Sequence, residues 1–218
     1  MTSLHLSRRD FAVLLGAGGA GLALGGLEPP EAEASTPVEG SICMIIRHGE
    51  KPDSSGNPPG IDEKGQQDPH SLTERGWARA RALGKFFAAP KAGIVRPARV
   101  YAPGQIPGHA AGRRPRQTAV QIAAALGLGV DLVYKEGEEK KLANQLSILG
   151  PNLPSLVVWE HSAIAEIVDR LDGPVAPKAK SWPDSRYDVV LVCRANKSGW
   201  KLAQVPEMVL PGDRSSGL

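Results

Sequence analysis

Ser41-Ile42-Cys43-Met44-Ile45-Ile46-Arg47-His48-Gly49-Glu50 is the stretch whose reading decides the fold. Residues 41–47 form a nearly continuous apolar run, as a strand buried on both faces should. Strands of that kind belong to parallel sheets covered by helices on each side. The run ends in Arg47 and His48, where an α/β sheet builds its crevice, beyond the carboxyl ends of its strands.

Working outward, residues 49–69 are polar and rich in Gly, Pro and Asp, a loop of a length usually tied to function or disorder. Ser71 or Thr73 then caps a helix running to about Ala88. Trp77, Ala80, Leu83 and Phe87 share one face of it at helical spacing. Residues 97–101 read as a short strand. Pro115 suits the first turn of the next helix, which turns Ala119, Ile122, Ala123 and Leu126 inward and ends at Gly127. A strand over 130–134, a helix over 138–149, a strand over 156–159 and a helix over 162–171 follow. Residues 187–194 and 200–205 form a closing hairpin around the turn 195–199. The alternation predicts an α/β fold, a three-layer α/β/α sandwich with a mostly parallel central sheet. One domain spans 41–218, after a linker at 35–40.

Residues 1–34 read as an export signal. Ser7-Arg8-Arg9-Asp10-Phe11 is a twin-arginine pattern, an apolar run extends to Leu27, and Ala32-Glu33-Ala34 offers a small-x-small cleavage site. The alternative is a retained anchor, although the run is short for a span and full of Gly. The expected partner of this segment is the twin-arginine export machinery, and the expected location is periplasmic or secreted. Nothing later in the chain is long and apolar enough to cross a bilayer.

The whole chain carries +3, from 26 basic and 23 acidic residues. Without residues 1–34 it loses two Arg and four acids, leaving 24 against 19, or +5. That balance suits an anionic substrate. No Lys/Arg run is interleaved with aromatics, so nucleic acid is not an expected partner. Cys43 and Cys193 lie in apolar strands and read as small buried residues. Export would also permit a disulfide. Neither has a Cys or His at metal-site spacing.

Two histidines follow strands, His48 after the first and His161 after 156–159. Arg47 ends the first strand, and Arg114 precedes a helix whose N-terminus would face the same crevice. Two guanidinium forks, two imidazoles and a helix N-terminus make a pocket for a dianionic phosphoryl group.

The wording of four segments narrows this. Arg47-His48-Gly49-Glu50 resembles the RHG signature of the histidine phosphatase superfamily, which includes the phosphoglycerate mutases. Leu72-Thr73-Glu74-Arg75-Gly76 resembles its following helix start. Arg114-Pro115-Arg116-Gln117-Thr118-Ala119 resembles its RAxQTA segment. Val157-Val158-Trp159-Glu160-His161 resembles the strand that delivers its second histidine. The RHGEKP form, with Lys51 and Pro52, resembles a bacterial subgroup. The resemblance implies a phosphoglycerate mutase-like fold and phosphoryl chemistry without metal or cofactor.

Under that resemblance His48 is the nucleophile, its other ring N–H held by a backbone carbonyl. Arg47, Arg114 and His161 bind the phosphoryl oxygens. The proton donor falls in Lys135-Glu136-Gly137-Glu138-Glu139-Lys140, with Glu139 the first candidate and Glu136 the second. The alternative for this acidic cluster is a helix cap on a solvated face. In another branch the acid directly follows the second histidine, where this chain has Ser162. Glu160 adjoins His161, but strand alternation is expected to point it away. Ala110 replaces a serine common in the family. Arg113 and Arg116 flank Arg114, and Gln117-Thr118-Ala119 sets the register. Lys51 either touches substrate or is a solvated loop lysine. His70 and His109 are expected bystanders.

The expected activity is hydrolysis of a small phosphomonoester through a phosphohistidine. The alternatives are a mutase-type phosphotransferase, disfavoured by the export signal and by loops too short to sequester an intermediate, a phosphoprotein phosphatase, and a non-catalytic protein that binds a phosphorylated ligand.

Overall fold

The computed structural model describes residues 36–110, 112–172 and 182–218. The twin-arginine pattern, its apolar run and the cleavage site lie outside the described residues. Among the described residues no helix is long and apolar enough to cross a membrane.

Among the described residues six strands form one sheet: β1 (Ile42–Arg47), β2 (Arg99–Tyr101), β3 (Val130–Asp131), β4 (Ser155–Trp159), β5 (Val189–Asn196) and β6 (Gly199–Pro206). Their order is β3-β2-β4-β1-β5-β6. β3, β2, β4 and β1 run parallel, and the β5–β6 hairpin closes the sheet antiparallel to β1.

β1 is central and buried, so its alternate residues enter different cores. Met44 and Ile46 join Leu156, Val158, Leu83, Phe87 and Ile122, beneath α1 (Glu74–Ala88) and α2 (Arg113–Leu126). Cys43 and Ile45 join Val157, Trp159, Leu142, Leu146 and Ile164, beneath α3 (Glu139–Ile148) and α4 (His161–Asp172). Period-two strands between period-3.6 helices give the expected three layers.

Local chemistry explains the element ends. Thr73, not Ser71, caps α1, its hydroxyl accepting from the Gly76 amide. Gly127 ends α2 in the left-handed region at φ 70°. The expected third strand is cut to two residues at the sheet edge, where Leu132 and Val133 are exposed. Of the expected inward face of α1, Ala80, Leu83 and Phe87 are buried, while the Trp77 indole donates to the Ile61 carbonyl and anchors the long loop. Cys43 and Cys193 are register partners across β1 and β5, both buried thiols.

Two glycines let the first loop sit on α1. A Cβ on Gly49 would come within 2.5 Å of the Gly76 carbonyl oxygen, and one on Gly76 within 2.4 Å of the Glu50 oxygen. Both obstacles are backbone, which cannot swing aside. Gly76→Ala gains up to about 1 kcal/mol of helix propensity, yet overpacking costs about 1–3 kcal/mol. A net loss of stability is therefore expected, about 2–4 °C in Tm for each kcal/mol lost. A thermal melt at or above wild type would remove this account of the Gly49–Gly76 contact.

Candidate active site

The parallel pairing of β1 with β4 places Arg47 opposite Trp159, and the His48 amide donates to the Trp159 carbonyl at 3.2 Å. The residues that follow each strand, His48 on one and Glu160-His161 on the other, therefore emerge side by side.

His48 is completely buried. Its Nδ1 lies 2.6 Å from the Gly49 carbonyl, the backbone partner expected for the non-attacking nitrogen. Its Nε2 lies 2.8 Å from Glu160 Oε2. The other oxygen of Glu160 holds His161 Nδ1. The expectation that Glu160 points away is thus corrected. Its residue follows the last strand position, in the turn into α4, where the pleat no longer dictates direction. Burial pushes the His48 imidazolium down, against an upward pull from Glu160, and the Arg47 charge lowers it further. Burial alone would raise the Glu160 carboxyl, but hydrogen bonds and charge from His48 and His161 outweigh it and hold the carboxyl well below the usual range.

Arg47 is fully buried rather than open to the cleft. Its Nη1 donates to the carbonyls of Pro183, Asp184 and Arg186, and Nη2 to the Tyr187 hydroxyl. The guanidinium carbon lies 3.8 Å from the centre of the Tyr187 ring, a cation–π contact. Among the described residues its Nε has no partner. One oxygen of Asp184 gathers three nitrogen groups: His161 Nε2 at 3.0 Å, Lys51 Nζ at 3.5 Å and Arg47 Nη2 at 3.6 Å.

A cleft of about 360 Å³ opens beside this cluster. Arg114 lines it at the N-terminus of α2, together with Glu160 and Glu136. Arg114 Nη2 donates to the Pro69 carbonyl at 2.7 Å. Arg113 lines the cleft too but pairs with Glu63 and Asp68, and Arg116 bonds the Pro103 carbonyl. His70 and His109, expected bystanders, also line the cleft.

Glu136 is the other cleft carboxyl, raised by burial with Glu160 and Glu139 nearby. Glu139, the first candidate for proton donor, is held elsewhere. It is 2% exposed and its Oε1 accepts from the Trp159 indole at 2.9 Å and from the Gly137 amide. Glu138 binds Lys141 and the Lys135 amide at the surface.

The matched motifs also position the site. The Thr118 hydroxyl accepts from the Gly49 amide at 3.0 Å. Gln117 accepts from the Leu72 amide and donates to the Ser71 hydroxyl, tying α2 to the start of α1. Glu50 is directed away from the cleft, to Arg75 and Arg79. Arg79 also holds Glu207 and Asp213. The described residues contain no cluster of His, Cys, Asp and Glu suited to a metal.

No family model and no curated protein matches the chain. Solved structures do resemble it. One is a candidate alpha-ribazole-5'-P phosphatase from Escherichia coli, at TM-score 0.51 and 13% identity over 76% of this chain and 96% of that one. Another is a mycobacterial glucosyl-3-phosphoglycerate phosphatase, at 0.48 and 13% over 74% and 96%. A third is a candidate phosphohistidine phosphatase, SixA, from Agrobacterium tumefaciens, at 0.45 and 17% over 75% and 96%. The Escherichia coli likeness establishes the shared α/β sandwich fold.

The Arg79 cluster yields a stability test. Glu207 is fully buried near Asp213 and Asp188, and burial pushes its carboxyl up to about 8 despite Arg79. The folded state then keeps a proton that the unfolded chain releases near pH 4.3, so this group's contribution is lost as pH rises toward 8. Glu207→Gln, which keeps an acceptor for Arg79, is expected to flatten the decline in Tm between about pH 4.3 and 8. An unchanged slope would place the proton elsewhere.

Proposed function

We propose that the chain is a phosphomonoesterase in which His48 takes the phosphoryl group and passes it to water. One observation carries this reading. His161, Lys51 and Arg47 already surround a carboxylate oxygen of Asp184, and Glu160 joins that His161 to the buried His48. Asp184 is 78% exposed, so it can leave readily. A phosphoryl oxygen taking its place would meet His161 and Lys51, with the buried Arg47 charge behind them, while Arg114 and the α2 N-terminus approach from the cleft.

The roles follow from the surroundings. The Gly49 carbonyl holds Nδ1–H and turns Nε2 toward the reacting phosphorus. Burial, and after it the Arg47 charge, disfavour an imidazolium and so favour the nucleophilic form once substrate displaces Glu160 from the ring. Arg114 and His161 neutralise charge that builds on the phosphoryl oxygens. The leaving oxygen needs a proton from a carboxyl on the cleft, which Glu136 and Glu160 line and Glu139 does not. The Glu50–Arg79 anchor and the Gly49–Gly76 contact fix the loop that carries His48. The same reading assigns residues 1–34 to twin-arginine export, resting on Ser7–Phe11 and Ala32–Ala34.

Incubation with a panel of phosphomonoesters is expected to give turnover in the wild type and none in His48→Ala. A phosphorylated peptide containing His48 should be recoverable without acid treatment. Arg114→Ala should slow turnover by about 100- to 1000-fold, the usual loss for one charge-stabilising donor. Activity that persists in His48→Ala would refute the nucleophile. Asp184→Ala should tighten inhibition by inorganic phosphate by removing a competing anion. Weaker inhibition would show that Asp184 supports the site instead.

A further inference from the structure

His48 Nδ1 sits 2.6 Å from a carbonyl oxygen. A carbonyl only accepts, so Nδ1 carries a hydrogen. Nε2 sits 2.8 Å from Glu160 Oε2. A bare imidazole nitrogen facing a bare carboxylate oxygen at that distance would set two lone pairs against each other, both buried or half-buried. One proton between them turns the clash into a charge-assisted hydrogen bond. We infer that His48 and Glu160 share one proton in the resting site, and that Glu160 delivers it to the leaving oxygen and recovers it from water. The transfer steps rest on the phosphatase reading, whereas the shared proton does not.

The surroundings fit this role. His161 Nδ1 holds Oε1, so Oε2 is the oxygen left to exchange a proton. Arg47 and Tyr187 interact with Glu160 electrostatically from the buried side, and Glu136 from across the cleft. Arg114 lines the same cleft as Glu160. Burial pushes the proton off His48, while the hydrogen bond and the charge of Glu160 pull it back toward the ring. The proton changes owner within the pair while the pair keeps it.

Entry of a phosphomonoester separates the two groups. Glu160 leaves with the proton, and Nε2 is bared. The Nε2 lone pair forms the N–P bond as the P–O bond to the leaving group breaks. The oxygen takes the Glu160 proton and departs as an alcohol. Water then attacks phosphorus and gives one proton to the Glu160 carboxylate. The N–P electron pair returns to Nε2, hydrogen phosphate leaves, and the proton bridges the pair again. One device thus masks the nucleophile and stores the acid it will need.

The test uses the full chain with two esters. p-Nitrophenyl phosphate has a leaving group that departs without a proton, while glycerol phosphate needs one. Glu160→Gln should slow the glycerol ester by about 100- to 10 000-fold, the range for a lost general acid, and the nitrophenyl ester less than about tenfold. Wild-type kcat/KM on glycerol phosphate should be full while the pair holds one proton and fall as that proton is lost with rising pH. That alkaline limb should be absent in Glu160→Gln. Independently, nitrogen NMR of His48 should show Nε2 keeping its proton to higher pH in wild type than in Glu160→Gln.

Equal slowing of both esters, or no slowing, while activity still depends on His48, overturns the inference and leaves the phosphatase reading standing. The ester-selective loss appearing in Glu136→Gln instead also overturns it. Identical His48 titrations in the two proteins overturn the shared proton, whatever the turnover. An inactive wild type with no His48 adduct sinks the phosphatase reading and with it the transfer steps.

Discussion

The pairing of β1 with β4 is the constraint on which the rest depends. Parallel neighbours end at the same edge of a sheet, and the Arg47–Trp159 register makes them end at the same height. His48 and Glu160, 112 residues apart in sequence, and with Glu160 its neighbour His161, are then adjacent without any long side chain reaching across. A shift of one residue in that ladder would turn His48 to the opposite face and separate the two imidazoles.

Around this edge, much of the molecule serves to hold the first loop still. Gly49 and Gly76 let backbone meet backbone where any Cβ would intrude. The Thr118 hydroxyl receives the Gly49 amide, and Gln117 receives the Leu72 amide. Glu50, next to the nucleophile, anchors on Arg79, which also holds Glu207 and Asp213. Charges buried in such a cluster are expensive to separate, since removing one partner strands the others. The cluster therefore gives the loop a firm base, and the cleft above it can be open and polar without losing definition.

Patterned features were legible in the chain. The apolar run of β1, the inward faces of α2, the β5–β6 hairpin and the strand-end positions of His48 and His161 all follow from periodicity and turn chemistry. Arg114 was legible through the resemblance of Arg114–Ala119 to the RAxQTA segment, in which Gln117-Thr118-Ala119 set the register. Features outside a pattern were not. Glu160 escapes a pattern-based reading because strand alternation does not extend past Trp159, the last residue of β4. Glu139 and Glu136 look alike in an acidic run, and only packing shows that Glu139 serves the Trp159 indole. Asp184 and Tyr187 come from irregular chain far from either histidine, with no local signal of what they touch. Arg47 reads as a clamp, yet its guanidinium is enclosed by three carbonyls of that same segment.

The most direct measurement is a crystal structure of the protein with orthovanadate, an anion that adopts the five-coordinate geometry of phosphoryl transfer. The account predicts vanadium bonded to His48 Nε2, its oxygens on His161 and Arg114, and Glu160 displaced from the ring to the apical oxygen. Vanadate bound elsewhere, with His48 still bonded to Glu160, would contradict it.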